Sequence, residues 1–275
     1  MAAKKIKKAT KRVTKADFFR AYGVELKKDH IQAPWGEWVP LPLTWGSKTL
    51  CFGFSTLAGT KTWEAVFNGD SIRISGTCKC QCEHCYGCSG RYVMPSVIKS
   101  NTWRTVAARV YQEWLEKTIV AQINWGKNGH PLKCVRVHIT GDFFSPEYIA
   151  LWRRIISACP DTEFWTYTKN PDAENAFDDI DNMNVVKSII PGYGFNFGRA
   201  GYVINLYKEL TAAGIPTHIC RCGIDKNQHC DSCGACRKLG RVLFLEHGSD
   251  YKPKKDPDFA EFCRICDSPE NTALM

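Results

Sequence analysis

The sequence contains no apolar run long enough to cross a lipid bilayer, and no secretory signal is visible in it. We therefore expect a cytoplasmic protein with reduced thiols and no membrane partner. The chain also lacks internal repeats, and outside its first residues it lacks low-complexity segments. Since 275 residues can bury one sizeable core, a single main α/β domain is the expected organisation.

Acidic side chains are absent from the first 15 residues, where seven lysine and arginine residues are concentrated. These seven charges account for most of the formal net charge of +9, and about +2 is left for the remaining chain. Residues 1–15 are therefore predicted to form a basic, disordered tail. The alternative is that this tail binds phosphate groups, which would make nucleic acid a partner.

Cysteine, in contrast, is abundant, with 15 residues in 275, although this fraction is below that of a short disulfide scaffold. Five thiols fall within eleven residues, from Cys78 to Cys88. Clustered thiols in a reducing compartment indicate ligands for zinc, Cu(I) or iron-sulfur clusters. Cys78, Cys82 and Cys85 are spaced C-x3-C-x2-C, so that three thiolates could hold three irons of a cubane and leave the fourth iron open. The alternative is a zinc site, because the three-thiol arrangement gives Cys80 and Cys88 no role.

The cysteine spacing, with Tyr86 beside its last thiol, resembles the cluster loop of the radical S-adenosylmethionine superfamily. Cys85-Tyr86-Gly87, taken together with the segment 135–145, is similar to the phage gene product 88 family. The resemblance extends over roughly residues 70–250. It implies S-adenosylmethionine on the open iron of a 4Fe-4S cluster whose ligands are Cys78, Cys82 and Cys85.

The activity implied by this resemblance is reductive cleavage of S-adenosylmethionine, with one electron from an electron donor, to a 5′-deoxyadenosyl radical that modifies a substrate. For a phage-encoded chain the expected location is the host cytoplasm. Nucleic acid, a nucleotide or a translation component are the candidate substrates. A protein of a different class is the alternative, namely a zinc-stabilised nucleic-acid-binding protein that uses the basic tail and has no catalytic function.

Thr140-Gly141-Asp142 stands where the superfamily carries a glycine-rich motif ending in an acid, which receives the methionine ammonium group. The usual pattern is Gly-Gly-Glu; here threonine replaces a glycine and aspartate replaces glutamate, while the backbone carbonyls can still accept hydrogen bonds. Tyr86 is a candidate for packing beside the adenine. Lys169, Asn170 and Ser188, at the ends of later strands, are candidates for contact with the nucleoside or the substrate. Ordinary loop packing or a strand-end position is the alternative for each.

Segments with strand and helix character alternate along most of the chain. Ser71–Ser75, after a hairpin turn at Asn68-Gly69, is predicted to be the first strand of the main sheet. One long crossover helix is expected over 96–122, with Ser145 capping the helix after the Gly-Asp motif. The later strands are predicted at 134–139, 163–169, 185–190, 215–220 and 241–247.

This βαβα order implies a parallel sheet with right-handed crossovers. The predicted fold is α/β, a partial (β/α)6 TIM-like barrel with a parallel sheet, plus a cysteine-rich C-terminal segment. Ligands gather at the carboxyl ends of such strands, where the cysteine loop and the Gly-Asp motif are expected. The predicted parts are a basic tail (1–15), an N-terminal extension with a β-hairpin (16–70), the barrel with an auxiliary cysteine group at 220–236 (71–250), and a C-terminal tail with a C-x2-C pair (251–275).

A second cysteine group lies near the end of the predicted barrel. Cys230, Cys233 and Cys236 have the C-x2-C-x2-C spacing that opens a bacterial ferredoxin run, and Cys220 or Cys222 would complete a second 4Fe-4S cluster. The alternative is zinc, held by the two C-x2-C pairs Cys233/Cys236 and Cys263/Cys266. The remaining cysteines occur singly and are predicted to be buried apolar residues: Cys51, Cys134 and Cys159.

Overall fold

The computed structural model describes residues 13–46, 49–79, 85–127, 129–190, 192, 194–221, 233–245 and 252–272. Most of the predicted basic tail therefore lies outside the described residues. Within the described ranges, no helix has the length and apolar character of a membrane span. The strands in this part of the chain are β1 (Leu26–Lys27), β2 (His30–Gln32), β3 (Trp38–Pro40), β4 (Thr44–Gly46), β5 (Cys51–Gly53), β6 (Thr62–Phe67), β7 (Asp70–Ser75), β8 (Cys134–Val137), β9 (Glu163–Thr168), β10 (Met183–Lys187), β11 (Ile189–Ile190), β12 (Gly194–Phe195), β13 (Phe197–Gly198), β14 (His218–Cys220) and β15 (Val242–Leu245).

The α-helices of the same ranges are numbered in chain order. They are α1 (Lys15–Ala21), α2 (Pro95–Val110), α3 (Gln112–Trp125), α4 (Pro146–Ser157), α5 (Pro171–Glu174), α6 (Ala200–Ala212), α7 (Ala235–Lys238), α8 (Phe259–Cys266) and α9 (Pro269–Thr272). Tyr111, with φ −122° and ψ 45°, separates α2 from α3. The predicted single crossover helix is therefore two helices.

The main sheet has five strands in the order β10-β9-β8-β5-β4. β5, β8, β9 and β10 run parallel, and β4 pairs antiparallel with β5 at the edge. Parallel strands joined by crossovers are covered by helices, which bury their apolar side chains. Because these four strands point the same way, the segments that follow them emerge at one edge of the sheet.

The crossover helix α4 shows how the sequence specifies this packing. The Ser145 hydroxyl accepts a hydrogen bond of 3.2 Å from the Tyr148 N–H, and Pro146 occupies the first helical position, so the predicted cap is confirmed. The apolar face of the helix, which includes Trp152, packs with Val135 of β8 in the largest core cluster. Each fully buried aliphatic or aromatic side chain contributes roughly 1.5–3 kcal/mol to stability.

The N-terminal extension is attached to α3 by paired hydrogen bonds. The Leu43 N–H donates to Gln122 Oε1 at 2.9 Å, and Gln122 Nε2 donates to the Leu43 oxygen at 2.8 Å. The antiparallel strands β1, β2 and β3 of this extension form a separate small sheet. The segment before β4 is therefore fixed to α3, whereas β4 itself belongs to the main sheet.

The hairpin turn predicted at Asn68-Gly69 is confirmed, because β6 and β7 pair antiparallel across it. Both turn residues have positive φ, 51° for Asn68 and 86° for Gly69, as a two-residue hairpin loop requires. The expectation that Ser71–Ser75 begins the main sheet is wrong. Within the described residues β7 pairs in a two-stranded sheet with β6, and the strand beside β8 is instead β5.

A further parallel sheet, in the order β13-β15-β14, follows in the chain. The face of this sheet that contains Ile219 and Leu243 packs against α6 and α8 in a second core cluster. The Lys187 N–H at the end of β10 donates to the Gly240 oxygen at 3.3 Å, which brings the two sheets together. Among the described residues the strands form several sheets and no closed barrel, so the partial (β/α)6 barrel stays a prediction.

Candidate functional site

The segments that follow β5 and β8 lie side by side beyond the carboxyl ends of these strands. The Thr56 N–H donates to the Thr140 oxygen at 3.0 Å, and the Ile139 N–H donates to the Phe54 oxygen at 2.6 Å. These bonds continue the parallel pairing of the two strands. The Gly-Asp motif therefore lies next to the segment that leads from β5 towards the cysteine loop.

Buried threonines join this edge of the sheet to the start of the cysteine loop. The hydroxyl oxygens of Thr56 and Thr77 are 2.9 Å apart, and the Thr77 hydroxyl donates to the Leu57 oxygen at 2.9 Å. The Thr140 hydroxyl donates to the Thr56 oxygen at 2.9 Å. Hydroxyls as deeply buried as these need hydrogen-bond partners inside the protein. Since Thr77 directly precedes Cys78, the network determines where the loop begins.

Cys78 receives a backbone hydrogen bond at its sulfur. The Gly59 N–H donates to Cys78 Sγ at 3.2 Å, and the Cys78 N–H donates to the Gly59 oxygen at 3.3 Å. A donor directed at sulfur stabilises the thiolate, which is the form of cysteine that binds metals. Gly59 has a φ of +75°, and a Cβ there would lie 2.9 Å from Cys88 Sγ. The positive φ and the contact with Cys88 therefore favour glycine at position 59.

Tyr86 and Gly87 pack directly against the loop that contains the Gly-Asp motif. The Tyr86 hydroxyl donates to the backbone oxygen of Ile139. A Cβ at Gly87 would lie 2.6 Å from Ala58 Cβ and 3.3 Å from Thr140 Cγ2. The two segments that the sequence singled out separately are thus in contact.

The three cysteines predicted to hold a cluster are described only in part. Cys78 and Cys85 are both half-buried. Cys85 precedes a 3₁₀ turn, and its backbone oxygen accepts a hydrogen bond of 2.9 Å from the Cys88 N–H. Cys82, together with Cys80 and His84, lies outside the described residues.

Gly141 and Asp142 occupy a tightly packed turn beside the threonine network. Gly141 has a φ of +84°, and a Cβ there would overlap Thr56 Oγ1 and lie 2.5 Å from Thr77 Oγ1. The Asp142 N–H donates to Thr77 Oγ1 at 3.1 Å. The Gly-Asp motif is therefore bonded to the residue immediately before Cys78.

The Asp142 carboxylate is buried and is held mainly by the neighbouring strand. Its Oδ1 accepts from the Phe143 N–H at 2.8 Å and from the Thr168 hydroxyl at 2.7 Å, and its Oδ2 accepts from the Lys169 N–H at 2.9 Å. Burial raises the pKa of Asp142 to about 6, although the bonds from Lys169 and Thr168 oppose this rise. A carboxylate has about four acceptor positions, and the bonds from described residues occupy three of them.

Lys169, Asn170 and Ser188 lie at the ends of the next two strands. The Lys169 ammonium group is 5.3 Å from the ring centre of Phe197. Asn170 is fully buried and caps α5, with its side-chain oxygen 3.0 Å from the Asp172 nitrogen, which gives it a structural role. The Ser188 N–H donates to the Thr168 oxygen at 2.9 Å. These three residues share the sheet edge of the Gly-Asp motif.

Arg136 is a polar residue of this region that the sequence analysis missed. Its guanidinium lies 5.1 Å and 4.9 Å from the ring centres of Trp165 and Tyr167, and Nη2 is 3.4 Å from the Tyr86 hydroxyl. Its Nε is buried and has no hydrogen-bond partner in the part of the chain that the structure describes. Strand alternation could have identified it, because its neighbours Val135 and Val137 face the helices.

The second cysteine group is also described only in part, since Cys222 and Cys230 lie outside the described residues. Cys220 ends β14 and is buried. Cys236 Sγ accepts a hydrogen bond of 2.8 Å from the Tyr167 hydroxyl. Cys233 lies against His218, a buried histidine that the sequence analysis did not consider. The described residues contain no set of three His, Cys, Asp or Glu side chains arranged to hold a metal.

The late C-x2-C pair, Cys263 and Cys266, lies on α8. Cys266 is fully buried in the core between α6 and α8, and burial raises the pKa of its thiol to about 12. Cys263 of the same helix is half-buried.

The singly occurring cysteines and His138 are largely core residues. Cys51 and Cys159 are buried as predicted, while Cys134 is half-buried. The register of β5 and β8 sets Cys51 beside Cys134. The hydrogen bond between the two thiols is the main cause that raises the pKa of Cys51, and burial is the second.

His138 is buried, with Nε2 2.9 Å from the Tyr148 hydroxyl, and burial lowers its pKa to about 3. It is therefore a neutral core histidine.

Comparisons with known proteins give a family and two relatives. A family described as Gene product 88 matches residues 47–193, which is just over half of the chain. The Gene 88 protein of Mycobacterium phage L5 is 54% identical over 37 residues, 14% of this chain and 16% of the relative. The Gene 88 protein of Mycobacterium phage D29 is 51% identical over 37 residues, 14% of this chain and 15% of the relative. The aligned part thus spans about a sixth of these relatives' length. No solved structure matches the chain.

Proposed function

This chain belongs to the gene product 88 family, and we propose that it acts as a radical S-adenosylmethionine-type iron-sulfur enzyme. The observation that carries the proposal is the contact between the cysteine loop and the Gly-Asp motif, made by Tyr86 with Ile139 and by Gly87 with Thr140. A cosubstrate that binds an open iron and a carboxylate at the same time requires these two elements to be neighbours. The family match covers both of them.

The first step of the proposal is the metal site, in which Cys78, Cys82 and Cys85 hold a 4Fe-4S cluster. The hydrogen bond from the Gly59 N–H to Cys78 Sγ fits a cluster ligand, because such bonds stabilise thiolates and tune cluster potentials. When bound together, the cluster and S-adenosylmethionine supply a 5′-deoxyadenosyl radical after one electron arrives from a donor protein.

The second step concerns the amino acid part of the cosubstrate. The carbonyl oxygens of Thr140 and Gly141 and the remaining acceptor position of Asp142 receive the methionine ammonium group. Asp142, with its pKa raised by burial to about 6, is ionised above neutral pH. A charge-assisted hydrogen bond in a buried site is roughly twice as strong as a neutral one.

The third step concerns the remaining polar groups at this edge. Tyr86 follows the last cluster cysteine, Cys85, and lies beside Arg136. Because its side chain is 44% exposed, its ring can contact the adenine. Arg136 and Lys169 provide two positive charges for an anionic group of the cosubstrate or the substrate. Ser188 completes the polar side chains of the proposed nucleoside region.

The remaining parts of the proposal are the architecture, the second metal and the biological setting. We propose a partial (β/α)6 barrel whose late cysteines, Cys220, Cys222, Cys230, Cys233 and Cys236, hold a second 4Fe-4S cluster or zinc. The substrate class proposed is nucleic acid or a nucleotide, and the location is the host cytoplasm.

Iron analysis of anaerobically purified protein tests the metal site. The wild type is expected to be brown and to contain iron and sulfide. Cys78→Ala, Cys82→Ala and Cys85→Ala should each lower the iron content sharply, whereas the matched control Cys88→Ala should retain it. Retention of full iron by all three variants would contradict the proposal.

A second candidate function is supported by the charge distribution. Seven positive charges within the first 15 residues suit phosphate binding by a zinc-stabilised protein without catalysis. Colourless protein with stoichiometric zinc, together with nucleic-acid binding that is lost on deletion of residues 1–15, would favour this candidate over the enzyme.

A further inference from the structure

Phe195 and Phe197 form an aromatic pair on the segment that follows β11. Their ring centres are 5.4 Å apart. Asn196, between them, is buried, and its side-chain nitrogen donates to the Val242 oxygen at 2.9 Å. Since residues two apart in an extended chain point to the same side, both rings lie opposite to Asn196. Phe197 is half-buried and Phe195 is 41% exposed, so the pair presents aromatic surface to solvent.

The Lys169 ammonium group lies against this pair. Its nitrogen is 5.8 Å from the ring centre of Phe195 and 5.3 Å from that of Phe197. A cation within about 6 Å of an aromatic ring centre is attracted to the face of the ring. Phe195, Phe197 and Lys169, which together are called the aromatic surface below, therefore combine rings with positive charge. Arg199, two residues after Phe197, is also exposed.

Hydrogen bonds hold the backbone of the aromatic surface in place. The Asn196 N–H donates to the Ser188 oxygen at 3.1 Å, and the Asn196 oxygen accepts from the Phe244 N–H at 2.8 Å. The Tyr202 hydroxyl of α6 donates to the Phe195 oxygen at 2.8 Å. The segment is thus attached both to β15 and to α6. Rings that are positioned before a ligand arrives lower the ordering cost of binding.

The aromatic surface borders the proposed cosubstrate site. The Lys169 N–H donates to Asp142 Oδ2 at 2.9 Å, while the ammonium group of the same residue reaches the two rings. The Ser188 N–H donates to the Thr168 oxygen at 2.9 Å, which connects the segment to the same edge of the main sheet. A ligand on the aromatic surface would therefore lie next to the Gly-Asp motif.

We infer that the aromatic surface binds single-stranded nucleic acid, with a base stacked on Phe195 and a phosphate group beside Lys169. Proteins that bind single strands combine exposed aromatic rings with positive charge along the backbone. The net charge of +9 is complementary to such a ligand. Bases inside a duplex are already paired and stacked, so they cannot contact Phe195. The inference rests on the proposed function only for the statement that the bound strand is the substrate.

Fluorescence anisotropy with the full chain and a labelled single-stranded oligonucleotide tests this inference. Titration at about 0.3 M salt reduces the contribution of the basic tail. Phe195→Ala should weaken binding about tenfold, because stacking of a base on the ring is lost. Phe195→Trp should retain the affinity. The matched control is Trp38→Ala, since Trp38 is 44% exposed but lies on β3 of the small N-terminal sheet.

Further ligands distinguish a strand from other sources of bases. The single strand should bind the wild type at least about tenfold more tightly than a mononucleotide does, because Lys169 and Arg199 contact successive phosphates. Binding of a duplex should be the same in the wild type and in Phe195→Ala. A mononucleotide that binds as tightly as the strand, or duplex binding that is lost in Phe195→Ala, would overturn the inference.

The outcomes also separate this inference from the proposed enzyme. Weaker single-strand binding by Phe195→Ala supports the inference even if no sample cleaves S-adenosylmethionine. Equal affinity in Phe195→Ala and the wild type, or no binding by the wild type, would overturn it, even if S-adenosylmethionine is cleaved. If Phe195→Ala is insoluble, Phe195→Leu gives the same decision, because it keeps an apolar side chain and removes the ring.

Discussion

Thr168 and Asp142 are joined by a hydrogen bond of 2.7 Å from the threonine hydroxyl to Oδ1 of the carboxylate. This bond connects the carboxyl end of β9 to the loop after β8. The Lys169 N–H binds the other carboxylate oxygen at 2.9 Å. The acid that is proposed to receive the methionine ammonium group is thus positioned by its neighbouring strand.

The first prediction concerns the pH dependence of stability through Asp142. Burial raises the pKa of Asp142 from 3.8 to about 6 in the folded protein. The folded state therefore binds this proton more tightly than the unfolded state does. The resulting stabilisation is full below pH 4 and is lost as the pH rises through about 6. The loss amounts to an order of 3 kcal/mol, at about 1.4 kcal/mol per pH unit.

Urea unfolding of the wild type and Asp142→Asn between pH 4 and pH 8 measures this effect. The free energy of unfolding of the wild type should fall relative to that of Asp142→Asn as the pH increases. Parallel curves for the two proteins would show that Asp142 is not responsible. Binding of S-adenosylmethionine should change in the opposite sense, becoming stronger with pH in the wild type only.

The second prediction concerns the backbone of the Gly-Asp motif. Gly141→Ala should lower the free energy of unfolding by more than about 2 kcal/mol, because it combines a positive φ with overlap against Thr56 and Thr77. Gly214 is the matched control, since its φ is +69° but no atom lies within 4 Å of an added Cβ. Gly214→Ala should cost only about 1 kcal/mol. Equal losses in the two variants, measured by urea unfolding, would rule out the packing argument.

The third prediction concerns the bond between Tyr86 and Ile139. Tyr86→Phe removes the donor and should weaken the attachment of the loop by about 1 kcal/mol. Amide hydrogen exchange of residues 85–90 should then be about fivefold faster, because the open state of the loop is more populated. Tyr22→Phe is the control, since the hydroxyl of Tyr22, in the N-terminal extension, accepts a hydrogen bond from Asn124 of α3. Unchanged exchange in Tyr86→Phe would mean that this bond does not hold the loop.

The fourth prediction concerns the positive charge of Arg136. Arg136→Gln should weaken S-adenosylmethionine binding by about tenfold, since a buried charged partner is lost, while the iron content stays unchanged. Arg153→Gln is the control, because Arg153 pairs with Asp179 on the protein surface. Calorimetric titration of both variants gives the comparison. An affinity equal to that of the wild type would remove Arg136 from the proposed site.

Local signals in the sequence were sufficient for several elements. The cap at Ser145, the turn at Asn68-Gly69 and the strand predicted at 163–169 depend on residues close together in the chain. The structure has the cap, the turn and, at Glu163–Thr168, the strand. The place of β5 in the main sheet was missed, because it is set by the pairing of β5 with β8. That pairing is a long-range interaction without a local pattern.

Long-range contacts without a local sequence pattern also limited the prediction of the candidate site. Strand alternation gives the side of the sheet on which Arg136 lies, but its partners Trp165 and Tyr167 come from another strand. His218 carries no motif, and only folding brings it next to Cys233 and the oxygen of Asn271. Sequence spacing identified the cysteines as candidate metal ligands. The residues that orient these cysteines come from distant parts of the chain and could not be predicted from spacing.

The most direct test of the central claim is an assay for 5′-deoxyadenosine after anaerobic reconstitution, chemical reduction and incubation with S-adenosylmethionine. The wild type and Cys88→Ala are predicted to release 5′-deoxyadenosine and methionine, and Cys85→Ala is predicted to release neither. Iron-loaded wild-type protein that releases no 5′-deoxyadenosine under reduction would contradict the account.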